Sequence, residues 1–245
     1  MPELSVIIPV FNEETVIADT ISRIADAVDP LGIGYEILVV NDGSTDRTLE
    51  RLAAIRNERL RIVSYATNRG KGFAIHHGMK HAEGVHSLFM DADLSTSLEA
   101  VGAFLDKMRS GTWDMIIGNR RIKGAHQNIP QPFYRRFFGK GFTLLSQIMV
   151  GYPGKDFTCG FKMFRMATAR VLFEKQRVFN WAFDAELIFL AGKYGLSILE
   201  VPVRWDHRGN SKVNLGRDMA NSFLGLLAIR ANDIKGRYDR ADQYK

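Results

Sequence analysis

One cysteine, Cys159, stands among 245 residues. An intramolecular disulfide is therefore excluded, and a reducing compartment fits the chain. Long apolar runs are missing too. The longest pieces, such as FLGLLAI (223–229), fall far short of the roughly 20 apolar residues that a membrane-spanning helix needs. The opening MPEL lacks the basic and apolar regions of a secretory leader, so none is expected. There is no internal repeat and no low-complexity stretch. A glycine cradle is also lacking. The first apolar strand is followed by PVFNEE, and the GxG of Gly32–Gly34 precedes the second strand. Phosphates are thus not expected to rest on a glycine-rich helix start after strand one. Negative charge is in deficit, with 33 Lys and Arg against 27 Asp and Glu. The net charge of +6 suits an anionic partner: nucleotide, nucleic acid or acidic membrane face.

What is present is ordinary globular composition, 46% hydrophobic and 24% charged, enough for one sizeable core. One domain with a C-terminal extension is expected. The first half alternates strand and helix. SVIIPV (5–10), YEILVVND (35–42), LRIVSY (60–65), HSLFMD (86–91) and DMIIGN (114–119) read as strands, and continuous apolar runs of this kind are buried on both faces. Helices are expected between them. Ile17, Ile21, Ile24 and Val28 mark the first, Ser44 or Thr45 caps the second, Lys71 opens the third, and the fourth covers about 98–109. The fold class is α/β, with a mostly parallel sheet flanked by helices. After Arg120 the alternation stops. A basic turn-rich loop leads to a helix over 133–151. DFTCGFKMFR (156–165) reads as an irregular strand or hairpin. A helix from Trp181 to Lys193, a strand LEVPVRW (199–205) and a last helix from about Leu215 to Lys235 complete the chain.

The polar residues sit where such a sheet binds ligands, beyond the carboxyl ends of its strands. Those ends read PVFNE, NDGS, TNRGKG, DADLS and GNRR. Asp91 and Asp93 are one residue apart. If the backbone there is extended, both carboxylates point the same way and meet one cation. Mg²⁺ or Mn²⁺ suits such a pair, since carboxylates, substrate phosphates and water complete its shell. The acidic ends argue against nucleic acid as the partner, because backbone phosphates would be repelled. His76, His77 and His81 are expected on an exposed helix rather than around a metal, with no acidic or cysteine ligand near them. Cys159, Trp181 and Trp205 are expected to pack in the core.

PVFNE, NDGSTDRT, NRGKG and DADLS, in that order at strand ends, resemble the inverting nucleotide-sugar glycosyltransferases of family 2, with their GT-A fold. GNRR, the RRFF segment, DFTCGFKMFR, WAFDAEL and VPVRWDHRGNSKV narrow the resemblance to the polyprenyl-phosphate sugar transferases, most of all the dolichyl-phosphate β-glucosyltransferase type. The motifs span nearly the whole chain. The resemblance implies metal-dependent, inverting transfer of a sugar, UDP-glucose favoured, to a polyprenyl phosphate. GDP-mannose as donor, or a sugar hydroxyl as acceptor, are its alternatives. It implies that Pro9, Phe11 and Glu13 line the base and ribose pocket, and that Asp42 lies at the base. Lys71, Asp91 and Ala92 lie along the donor, and Asp93 is the principal metal ligand, with Asp91 beside it. Arg208 and Lys212, in the RGNSK loop, close over the diphosphate. Arg120, Arg135 and Arg136 hold the acceptor phosphate. Asp91, Asp93, Arg120 and Lys212 carry the catalysis. Many mannosyl-type relatives have Gln after DADL. Here Ser95 stands there, which points away from that type and leaves the third metal ligand open. Residues 1–120 then form a donor-binding half, 121–213 an acceptor-binding half of the same domain, and 214–245 a C-terminal amphipathic helix and tail. The helices over 133–151 and 215–235 mix cations with apolar residues, as interfacial helices do. A peripheral enzyme on the cytoplasmic face of a membrane is expected.

Overall fold

The computed structural model describes residues 1–126, 133–206 and 215–239, with backbone alone for 133–140 and 215–220. Seven strands form one sheet. They are β1 (Leu4–Val10), β2 (Tyr35–Asp42), β3 (Leu60–Tyr65), β4 (His86–Met90), β5 (Met115–Asn119), β6 (Phe161–Arg165) and β7 (Ile198–Pro202). Their spatial order is β3-β2-β1-β4-β6-β5-β7. All run parallel except β6, which is antiparallel to both β4 and β5.

The apolar runs are continuous because side chains alternate between two cores. On one face Val6, Ile8 and Val10 of β1 join Ile37 and Val39 of β2. They pack under α1 (Ile17–Val28), α2 (Thr48–Ala53) and α4 (Ala100–Arg109). On the other face Ile7, Leu38 and Val40 meet α3 (Lys71–His81), α6 (Met166–Lys175) and α7 (Phe183–Lys193). Further out on this side, α5 (Phe133–Val150) and α8 (Leu215–Ile234) pack against α7 and each other. Helix α7 is apolar nearly all round because it lies between layers, buried from Phe183 to Ala191.

The first half follows the sequence expectation closely, and across the chain five differences stand out. Helix α2 starts at Thr48, and neither Ser44 nor Thr45 caps it. The N-cap is Arg47, and just before it Asp46 Oδ1 accepts the Thr48 amide at 2.9 Å and hydroxyl at 2.5 Å. Ser44 and Thr45 are drawn away to Asn12, whose amide donates to Ser44 Oγ and whose side-chain oxygen accepts the Thr45 amide. The segment 156–165 splits into a loop and strand β6. Helix α6, with Met166, Ala169, Leu172 and Phe173 buried, was not read from the sequence. His76 is buried between the rings of Phe73, Phe173 and Phe179 rather than exposed, and Trp181 is 39% exposed rather than in the core. His77 is half-buried and His81 exposed. Cys159 and Trp205 are buried as expected.

Two consequences position the site. The chain order reverses beside β1, where β2 lies on one side and β4 on the other, and crevices open at such switch points. Because β6 runs backwards, its start lies at the carboxyl edge of its neighbours. Met90 pairs with Phe161, so Asp91 and Gly160 come together.

Candidate active site at the carboxyl edge of the sheet

The loop after β1 is tied to the loop after β2. Asn12 adopts a φ of 56°, and its side-chain oxygen accepts the amides of Thr45 and Asp46 at 2.8 and 3.3 Å. The Glu13 amide donates to Thr48 Oγ1 at 2.8 Å. Pro9, Phe11 and Glu13 are half-buried along this rim. Asp42 ends β2 and is 2% exposed. Its carboxylate accepts the amides of Arg69 and Gly70 at 2.7 and 2.9 Å and the Asn68 side chain at 3.0 Å. It thereby fixes the NRG turn that launches α3. Next to it Gly43 has a φ of +67°, and a Cβ there would lie 2.6 Å from the Asn68 amide nitrogen, so only glycine fits. The Arg69 guanidinium lies 3.5 Å from the centre of the Phe73 ring.

Lys71, the first residue of α3, forms an ion pair with Asp91. Burial opposes its charge, but Asp91, Asp184 and Asp93 together hold its pKa above the ordinary lysine value. The extended backbone expected at DAD is not there. Strand β4 stops at Met90, the Leu94 amide donates back to the Asp91 carbonyl at 3.3 Å, and Leu94 turns left-handed with φ 51°. Asp91 meets Lys71, while Asp93 is exposed and accepts the Ser95 amide at 2.9 Å. Ala92 is buried, its carbonyl accepting Thr20 Oγ1 at 2.7 Å. Ser95 is 7% exposed, and its carbonyl accepts the Asp206 amide. Among the described residues no three Asp, Glu, His or Cys side chains converge on one point. The donor set therefore fits a hard dication that takes one or two carboxylates and fills its shell with phosphate and water, and does not fit a metal caged by protein. A cavity of about 510 Å³ beside Leu94, between α1 and α4, contains neither Asp91 nor Asp93.

Arg120 follows β5. Its Nε and Nη2 donate to the two oxygens of Asp156 at 2.7 and 2.6 Å, and its amide donates to the same carboxylate at 3.0 Å. This is the bidentate fork that suits guanidinium and carboxylate. Burial opposes both charges, yet the pairing wins: Asp156 sits below the usual carboxylate range and Arg120 above the usual arginine value. Nη2 also donates to Thr158 Oγ1 at 3.1 Å, and the guanidinium faces the Trp205 ring at 5.3 Å. Arg121 reaches Thr143 on α5.

Sequence reasoning missed the floor of the site. Lys162, in β6, is 0% exposed. Its Nζ donates to the carbonyls of Phe157 and Cys159 at 3.1 and 2.7 Å and to Asp184 Oδ1 at 2.5 Å. The available signal was a lone cation in the apolar run GFKMF. Gly160 was missed as well: a Cβ on it would lie 2.0 Å from Asp91 Oδ2. The structure thus brings Lys71, Asp91, Asp93, Arg120 and Asp156 to one edge. Arg208 and Lys212 lie outside the described residues, as do the side chains of Arg135 and Arg136, which fall on the first turn of α5.

The family model described as Glycosyl transferase family 2 matches residues 5–173. Dolichyl-phosphate β-glucosyltransferases of Drosophila melanogaster and Saccharomyces cerevisiae are 33% and 31% identical, over 92% and 96% of this chain and 76% of each relative. One from Trichomonas vaginalis is 35% identical over 80% of the chain, which spans 59% of that relative's length. Among solved structures, glucosyl-3-phosphoglycerate synthase from Mycobacterium tuberculosis, crystallised with Mn²⁺, UDP-glucose and phosphoglyceric acid, superposes with a TM-score of 0.66 at 18% identity. That match covers 99% of this chain and 81% of the synthase. Such a likeness establishes the fold, a GT-A-like sheet.

Proposed function

The chain belongs to glycosyl transferase family 2, and from that premise we propose that it transfers glucose from UDP-glucose, with inversion, to the phosphate of a dolichyl-type polyprenyl lipid. The observation that carries this reading is the locked Arg120–Asp156 fork, whose guanidinium lies within the field of Asp91. The names of the relatives support the choice of sugar and acceptor. A lipid phosphate is already an anion near neutral pH, so its attack needs no general base. That agrees with the acids nearby: Asp156 and Asp184 are both buried and both paired to cations. What the reaction does need is positive charge where two anions meet. Arg120, held rigid by Asp156, orients the acceptor phosphate, joined by Arg135 and Arg136. Its oxygen forms the new bond to the anomeric carbon as the bond to the UDP β-phosphate breaks, so an α-linked donor gives a β-linked product. Lys71, with Arg208 and Lys212, faces the departing diphosphate. Pro9, Phe11, Glu13, Asp42 and Ala92 line the nucleotide. Mg²⁺ or Mn²⁺, held by Asp93 with Asp91, supplies charge neutralisation on the diphosphate. Residues 1–120 serve the donor, 121–213 the acceptor, and 214–245 the membrane.

A membrane surface as partner draws support from the outer helices. Leu144 and Ile148 of α5, and Phe223, Leu224, Leu227 and Ile234 of α8, are all exposed. Among the described residues no helix is long and apolar enough to cross a membrane. Peripheral attachment at the cytoplasmic face follows from this reading.

The test is a donor panel with polyprenyl phosphate, the lipid followed by mass spectrometry. Hexose should be added from UDP-glucose and not from GDP-mannose, and a chelator should stop it. Asp93→Ala should lower turnover by about two orders of magnitude or more. Undiminished turnover in that variant would remove the metal role. UDP binding without any lipid product would move the acceptor to a sugar hydroxyl.

A further inference from the structure

Beneath the carboxylate edge lie two lysines and two aspartates, and their pairing is a choice. Helix α3 begins directly on helix α7. A Cβ on Gly72 would lie 2.6 Å from the Phe179 carbonyl oxygen and 2.9 Å from Phe183 Cβ. Lys71 and Asp184 are the sequence neighbours of these touching residues, so Asp184, as well as Asp91 and Asp93, lies within the field of Lys71. Asp184 is the more buried, at 3% exposure, and a buried carboxylate gains most from a cation. Yet Lys71 is on Asp91. The reason is Lys162, which already occupies Asp184 at 2.5 Å and is itself fixed by the carbonyls of Phe157 and Cys159. The same loop presents Gly160, over which the Asp91 carboxylate lies.

We infer that Lys162 is a positioning residue for the donor site: by occupying Asp184 it reserves Lys71 for Asp91 at the rim. This rests on the donor reading above for its consequence, and on the charge arrangement alone for its cause. If Lys162 loses its charge, Asp184 is left buried and unpaired. Lys71 then turns inward to it, and the rim loses one positive charge where the diphosphate sits. A merely structural Lys162 predicts something different. In that case its loss weakens the fold, and a second substitution at Asp184 cannot help the ligand.

The experiment uses Lys162→Gln, which keeps donors for the two carbonyls, and Lys162→Met should Gln not fold. Crystal structures give the position of Lys71, and calorimetry with UDP and Mn²⁺ gives affinity. We expect Lys71 on Asp184 in the single variant and UDP affinity down about tenfold. Adding Asp184→Asn should return Lys71 to Asp91 and affinity to within about threefold of the starting protein. Lys71 remaining on Asp91 in the single variant overturns the inference, as does a double variant that binds UDP no better than the single. If neither single variant folds, Asp184→Asn alone must keep Lys71 on Asp91, and its departure overturns the inference equally. Failure of the unmodified protein to bind UDP would instead remove the donor reading, while the position of Lys71 would still decide this one.

Discussion

Glu186 is fully buried and accepts the Arg177 and Val178 amides at 2.9 Å and the Tyr238 hydroxyl. Burial outweighs these donors and pushes its carboxyl up to about 7. The folded chain therefore holds a proton that the unfolded chain releases near the ordinary value of 4.5. Stability from this group is full below that value and is lost as pH rises through about 7. Relative to Glu186→Gln, the parent protein should gain up to about 3 kcal/mol between pH 8 and pH 4.5, read from urea unfolding of both across that range. A flat difference would show that the carboxyl titrates normally. Neither the Glu186–Tyr238 contact nor the Arg120–Asp156 fork was legible in sequence, because the partners lie 52 and 36 residues apart.

Elements were legible wherever periodicity was strong. Strands β1 to β5 and helices α1, α3 and α7 announce themselves by runs and spacing. Helix α6 did not, because it follows β6 without a break. The turn at 91–94 was also misread: two aspartates at i and i+2 look extended until Leu94 goes left-handed. Packing between elements gives a sharper test. Gly78 lets α3 lie on the sheet, since a Cβ there would be 2.6 Å from Ile7 Cγ2 and 2.9 Å from Val40 Cγ2. Gly78→Ala should lower unfolding stability by about 1–3 kcal/mol. It should also weaken UDP binding, because Lys71 rides on the same helix. A stable variant with unchanged UDP affinity would mean that α3 does not set the position of Lys71.

At the scale of the whole molecule, a net charge of +6 coincides with apolar side chains exposed on α5 and α8. Vesicle binding should therefore have two components. Sedimentation with anionic vesicles should fall with added salt, through screening of the charge. Leu224→Ser with Leu227→Ser should lower partitioning by about tenfold at fixed salt, through lost apolar burial. Binding that responds to salt alone would assign attachment to charge and leave these helices without a role in it.

Sequence by itself determined the α/β class, the parallel first half and the polar strand ends, because burial on both faces and ligand binding at one edge each leave a local pattern. It also determined the family, since the motifs follow the strand order. Only the tertiary structure decided which charges meet. The reversal of β6 sets Gly160 under Asp91 and Lys162 against Asp184. That pairing leaves Lys71 to Asp91, and Asp156 fixes Arg120. Such choices depend on distances across the chain, and electrostatic energy depends on those distances and on burial, neither of which a linear spacing encodes.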